Sequence, residues 1–119
     1  MASRFKTVGI MGRHRSFDIK NTVLDVLECL AHYQVTPIIE EEIVRVLPKD
    51  KKILTAPRQQ LGAQCDLVIV VGGDGCFLSA ARAVVNHHTP IVGVNRGKLG
   101  FLADIPPSKI SEQLAAVLE

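Results

Sequence analysis

DLVIVVGGDGCFLSAAR, Asp66 to Arg82, is the stretch on which the fold turns. Leu67 to Val71 are apolar and mostly β-branched, and they run straight into Gly72-Gly-Asp-Gly75 and then into more apolar sequence. A continuous run of this kind is the pattern of a strand buried on both faces, as in a parallel sheet. Glycines followed by a second apolar segment then make the turn of a strand-to-helix unit.

Outward from this unit the same alternation recurs. Lys6 to Gly12 reads as a short buried strand ending at a glycine, followed by a polar loop, Arg13-His-Arg-Ser16. Ile19, Val23, Val26, Leu27 and Leu30 then recur at helical spacing, with Lys20, Asp25 and Glu28 off the stripe. Ser16 or Asp18 suits the N-cap. Thr36 to Ile39 is a second strand, before the acidic run Glu40-Glu-Glu42. From Ile43 to Gln64 the periodicity fades, and Pro48, Pro57 and Lys49-Asp-Lys-Lys52 read as solvated connection, with room for a short helix over Arg58–Ala63. Asn86 to Pro90 end the helix after the glycine turn, Ile91 to Val94 form another buried strand, and Pro106 and Pro107 open a last helix. Its apolar face is Ile110, Leu114, Val117 and Leu118. The expected fold class is α/β, a doubly wound parallel sheet with helices on both faces.

At 119 residues the chain is long enough to bury a core, roughly two-thirds of its unfolded surface. A hydrophobic content of 47% excludes a disordered chain, and 4% aromatics without Trp make the core aliphatic. No apolar run approaches the roughly 20 residues of a membrane span, and no apolar segment follows the charged start. A cytoplasmic protein with no membrane partner is expected. A net charge of +2, without a basic face interleaved with aromatics, argues against nucleic acid. Cys29, Cys65 and Cys76 lack metal or redox spacing and read as small buried hydrophobes.

The chemistry lies in the glycine turn. The Walker pattern is absent, and Leu78 stands where the last glycine of G-x-G-x-x-G belongs. Phosphate can still bind, because glycines let it approach backbone N–H groups at the positive end of the helix. In a doubly wound sheet this turn lies at the carboxyl edge, where ligands bind. A carboxylate in such a place is either the helix N-cap, a ligand for a cation shared with phosphate, or a base for an attacking hydroxyl. Spacing alone leaves Asp74 open among these roles.

A second segment, GVNRGKLGFLADI (Gly93 to Ile105), makes the comparison specific. Together, VVGGDGCFLSAAR and IVGVNRGKLGFLAD resemble the NAD kinase family, bacterial type. The resemblance implies a Rossmann-like N-terminal domain of a two-domain kinase over residues 1–119, with a β-rich second domain beyond. The implied reaction is ATP-dependent phosphorylation of the adenosine-ribose 2′-hydroxyl of NAD to give NADP, with polyphosphate as donor in some members and a divalent cation, Mg²⁺, as cofactor. It further implies Asp74 as proton acceptor, and Gly72, Gly73, Gly75, Asn95 and Phe101 in dinucleotide binding, Phe101 lining the adenosine pocket. No metal ligand is singled out. The family often carries a ligand-contacting basic residue at the place of Ser79, which this chain lacks. The family's Asn-Glu motif, expected in the second domain, has no match here. The sequence also stops within a helical pattern, so a fragment with only half the NAD pocket, inactive alone, is expected, with a homo-oligomer at full length.

Other residues stay open. Arg13, His14 and Arg15, like Arg96 and Lys98, suit either ATP phosphates or a solvated loop. His87 and His88 end a helix, where a cation suits the dipole, and His32 reads as a helix-surface residue. Diacylglycerol, sphingosine and 6-phosphofructokinase-type kinases share the Gly-Gly-Asp-Gly turn, although the Leu-Gly-Phe segment argues against them. A non-catalytic nucleotide-binding module is the other alternative.

Overall fold

The computed structural model describes residues 5–12, 19–44, 53–72, 74–95, 104–105 and 109–119, with the backbone alone at 19, 74, 75, 95, 104 and 105. The elements are β1 (Thr7–Gly12), α1 (Ile19–His32), β2 (Thr36–Glu40), β3 (Leu54–Ala56), α2 (Arg58–Gln64), β4 (Leu67–Gly72), α3 (Asp74–Val84), β5 (Ile91–Asn95), β6 (Asp104–Ile105) and α4 (Ala115–Leu118). A 3₁₀ turn, Val85–His87, follows α3, and a π-helical turn, Ile110–Leu114, leads into α4.

The six strands lie in the order β3-β2-β1-β4-β5-β6, all parallel. The chain runs outward from β1 in one direction, returns, and runs outward from β4 in the other. Ligand crevices in such sheets form where the order reverses, outside the carboxyl ends of the strands. Here that point lies between β1 and β4, with Gly12 paired to Val71 and Gly72 to Asn95 across the neighbouring ladders.

Period-two alternation on the strands feeds two cores. On one face Val8, Ile10, Leu67, Ile69, Val71 and Val94 pack with Val23, Val26 and Leu30 of α1 and with Ile110, Leu114 and Leu118. On the other, Met11, Val68 and Val70 pack with Leu61 of α2 and with Ala80 and Val84 of α3. Of the helical stripe read from the sequence, Val23, Val26 and Leu30 are buried and Leu27 is half-buried, with Lys20, Asp25 and Glu28 exposed.

The end of α1 is held by a residue that the sequence does not advertise. Gln34 adopts φ 59°, and the N–H groups of Gln34 and Val35 donate to the carbonyls of Ala31 and Leu30 at 3.1 and 3.0 Å. This is the Schellman arrangement, with Gln in the left-handed position that glycine usually fills. Val35 and Leu30, the pair expected to touch across it, are both buried.

Three readings need correction. The segment from Ile43 to Gln64 is not all solvated connection: besides the short helix read there, which is α2, it holds edge strand β3, and Ile43 and Leu61 are fully buried, while Pro48 and Lys49 to Lys52 lie outside the described residues. β3 escapes notice because it is three residues long, with Leu54 and Thr55 exposed, so no apolar pattern marks it. β6, two residues against β5, was not expected either. Of the three cysteines only Cys65 is buried, while Cys29 and Cys76 are half-exposed, and none of the three is in a disulfide. The N-cap at Ser16 or Asp18 and the Pro106-Pro107 start of the last helix lie outside the described residues.

Candidate functional site

At the carboxyl edge β4 ends at Gly72 and α3 starts at Asp74, so the strand enters the helix within a very short turn. Gly72 is needed on two counts. Its φ is +155°, which L side chains rarely adopt, and a Cβ there would stand 2.9 Å from Cys76 Cβ and 3.1 Å from its Sγ. Cys76 in turn directs its thiol at the Val71 carbonyl, 3.9 Å away. The tight entry places the first residue of an eleven-residue helix at the switch point. Backbone N–H groups of a first helical turn lack intrahelical partners and favour anions.

The sites named from the sequence distribute as follows. Asp74 and Gly75 open α3, Asn95 closes β5, and Gly72 pairs with Asn95 in the ladder, so these four share one edge. Gly73 and Phe101 lie outside the described residues, as do Arg13, His14, Arg15, Arg96 and Lys98. His87 and His88 are exposed after α3. His32 is also exposed, its ring edge-on to buried Tyr33 at 5.1 Å between centroids. Among the described residues no three His, Cys, Asp or Glu side chains converge as a metal site.

A polar cluster at the same edge had no counterpart in the sequence reading. Glu40, the last residue of β2, is 2% exposed. Its Oε1 accepts from Arg58 Nη2 at 3.1 Å and from the Gly12 N–H at 3.4 Å. The same Nη2 donates to the Gly12 carbonyl at 3.2 Å, and Nη1 donates to Ser79 Oγ on α3 at 2.7 Å. Arg58 Nε is buried without a hydrogen-bond partner. A cavity of about 240 Å³ adjoins the pair, lined by Glu40, Glu41, Glu42, Pro57, Arg58 and Gln59. The only sequence signal for Glu40 is its place at the end of an apolar run. Nothing in the spacing pairs it with Arg58, which reaches it across the sheet edge from the start of α2.

The cluster also bears on where a nucleotide can sit. In dinucleotide-binding Rossmann units, an acidic residue beyond the first glycine turn receives ribose hydroxyls. Glu40 stands at the end of β2 in the same strand order, but its carboxylate is buried and takes a guanidinium instead. Together with the missing G-x-G-x-x-G pattern, this turns attention from the β1–β2 crevice to the glycine turn after β4.

The opposite end of the molecule is structural. Asp66 accepts the N–H groups of Lys6 and Thr7, each at 2.9 Å, pinning the start of β1 to β4. Partial burial opposes its ionisation, but these backbone donors outweigh that and hold the carboxyl below its ordinary value. Burial pushes the Cys65 thiol up to about 11. A cavity of about 520 Å³ lies between α1 and the C-terminal helix, lined by residues that include Cys29, His32, Tyr33 and Ile110. It stands at the end of α1 that leads into β2, away from the glycine turn.

A family model described as ATP-NAD kinase N-terminal domain matches residues 8–119. The chain belongs to this family. It is 45% identical over 116 residues to a NAD kinase of Pseudomonas putida (strain W619), covering 98% of this chain and 39% of that protein. To a NAD kinase of Marinomonas sp. (strain MWYL1) it is 42% identical over 112 residues, 94% of this chain and 38% of that one. The chain therefore spans about two-fifths of the length of these curated relatives. Yeast NADH kinase, solved in complex with NADH, superposes with a TM-score of 0.80 at 20% identity, over 95% of this chain and 38% of the other. At that identity the likeness is one of fold, and it agrees with the doubly wound sheet expected from the sequence.

Proposed function

We propose that this chain supplies the catalytic-base side of a NAD kinase, which phosphorylates the adenosine-ribose 2′-hydroxyl of NAD with ATP to give NADP. The observation that carries the reading is the entry of β4 through Gly72 into a helix opening at Asp74, at the switch point of the sheet, in a chain of this family. Relatives named NAD kinase at 42–45% identity support it.

In the proposed reaction Asp74 accepts the proton of the 2′-hydroxyl as that oxygen attacks the γ-phosphorus. The new O2′–P bond forms as the bond from phosphorus to the β,γ-bridging oxygen breaks, and ADP leaves. Gly72, Gly73 and Gly75 allow phosphate to approach the backbone, and Asn95 and Phe101 are assigned to the dinucleotide. A magnesium ion would be held chiefly by the substrate phosphates, with Asp74 as the carboxylate at this edge, and would neutralise charge on them. The wall facing the nicotinamide-side ribose is assigned to a β-rich second domain, and the full-length protein to a cytoplasmic homo-oligomer with ATP or polyphosphate as donor.

The test is Asp74→Asn in the full-length protein, assayed by NADP formation from ATP, magnesium and NAD. Asn caps helices about as well as Asp, so stability should change by well under ~1 kcal/mol. Turnover should fall by roughly 10²–10⁴. Wild-type turnover in the folded variant would leave Asp74 only the capping role.

A further inference from the structure

We propose that Arg58, braced by buried Glu40, is a positioning residue that fixes α3 against the end of β1 and so sets where Asp74 stands in the crevice. The inference rests on the proposed kinase reading and adds to it a residue from an element outside the glycine motif. One guanidinium joins three elements around the switch point: Glu40 at the end of β2, the Gly12 carbonyl at the end of β1, and Ser79 in α3. Ser79 is five residues after Asp74 in the same helix.

Two features argue against a purely structural brace. Buried ion pairs are often no better for stability than apolar residues of similar volume. The contact to Ser79 is made on an exposed stretch of α3, yet at 2.7 Å it is the shortest of the guanidinium's bonds. It adds nothing to either core, whereas it ties the helix to the strand end across the crevice. Arginine's planar fork holds several acceptors in one fixed relation, which a lysine ammonium on a flexible stem does not. Where reactants must be held in line, a misplacement of about 1 Å can cost on the order of 10² in rate.

The experiment uses the full-length protein with Ser79→Ala, Arg58→Lys and the double variant. NADP formation is measured across NAD and ATP concentrations, with melting temperature and amide hydrogen exchange over residues 76–80 alongside. Alanine is the better helix former, so Ser79→Ala should melt no lower than wild type. It should nevertheless lower kcat about tenfold, with KM for both substrates within twofold and exchange in α3 several-fold faster. Arg58→Lys should lower kcat at least as far, and the double variant should be little worse than Arg58→Lys alone. Wild-type kcat in Ser79→Ala, or losses that simply multiply in the double variant, would overturn the proposal. A raised KM at unchanged kcat would also overturn it, making Ser79 a ligand contact. Should wild type form no NADP, the kinase reading fails by itself, and exchange in α3 unchanged by either substitution would still defeat the positioning role.

Discussion

Gly72→Ala is the sharpest probe of the turn that presents α3. The new methyl meets two separate penalties. At φ +155° an L residue is strained, and such rarely populated backbone conformations cost about 1–3 kcal/mol. The added Cβ would also lie 2.9 Å from Cys76 Cβ, against ordinary carbon contacts of about 3.5–4.0 Å. Cys76 Cβ is rigidly attached to the α3 backbone, so relief requires the first turn of the helix to move. Overpacking of this kind costs about 1–3 kcal/mol, giving about 2–6 kcal/mol in all. That is a large share of the roughly 5–15 kcal/mol by which domains are stable. Urea denaturation of Gly72→Ala in wild-type, Cys76→Ala and Cys76→Gly backgrounds separates the two penalties. Cys76→Ala keeps the offending Cβ and removes only the Sγ contact at 3.1 Å, so it should rescue little. Cys76→Gly should remove the overlap and leave the φ strain, at about 1 kcal/mol of lost helix propensity. A Gly72→Ala protein within ~0.5 kcal/mol of wild type, smaller than either penalty, would refute the reasoning.

Three further outcomes are expected from groups away from the turn. The Asp66 carboxyl is lowered in the folded state, so its stabilisation is present above the unfolded value of about 3.9 and is lost as pH falls through the folded value. The stability gap between wild type and Asp66→Asn, from denaturation at a series of pH values, should be constant from about pH 6 to 8 and close in acid below about pH 4. Cys65, at about 11, stays a thiol at pH 8, so iodoacetamide should label it only as fast as the chain opens, and its contribution to stability should fade as pH rises from about 8.5 toward 11. Gln34→Gly should raise stability by about 0.5–1 kcal/mol in thermal denaturation, because left-handed φ is unfavourable for a residue with a Cβ.

The parts of this fold legible in the sequence are those whose burial imposes a period. β4 has no exposed face along Leu67–Val71 and reads as one apolar run, and the α1 stripe is visible because its other side meets water. β3 and β6 are two or three residues long, too short to display any period, and are held by pairing to a neighbour that sequence does not name. The site divides in the same way. The glycine turn announces itself, because at Gly72 few other residues tolerate the backbone. The Glu40–Arg58–Ser79 cluster is assembled from three elements distant in sequence. Its members are ordinary polar residues until the sheet order sets the ends of β1 and β2 beside α2.

That cluster bears on a difficulty with the proposed reaction. Aspartate is a weak base at neutral pH, and strong activation of the hydroxyl cannot be asked of it. Phosphoryl transfer passes through a loose transition state in most analyses, with little bonding to the attacking oxygen, so proton removal can lag behind phosphorus–oxygen cleavage. The demand then falls on alignment and on charge neutralisation rather than on basicity. Alignment depends on how firmly α3 is seated, and beyond the core packing of Ala80 and Val84 two further contacts bear on it. Gly72 lets the strand enter the helix with Cys76 packed against the turn, and Arg58 binds Ser79 to the end of β1. Glu40 holds that guanidinium through an ion pair of 3.1 Å, and through it helps hold the helix that carries the proposed base.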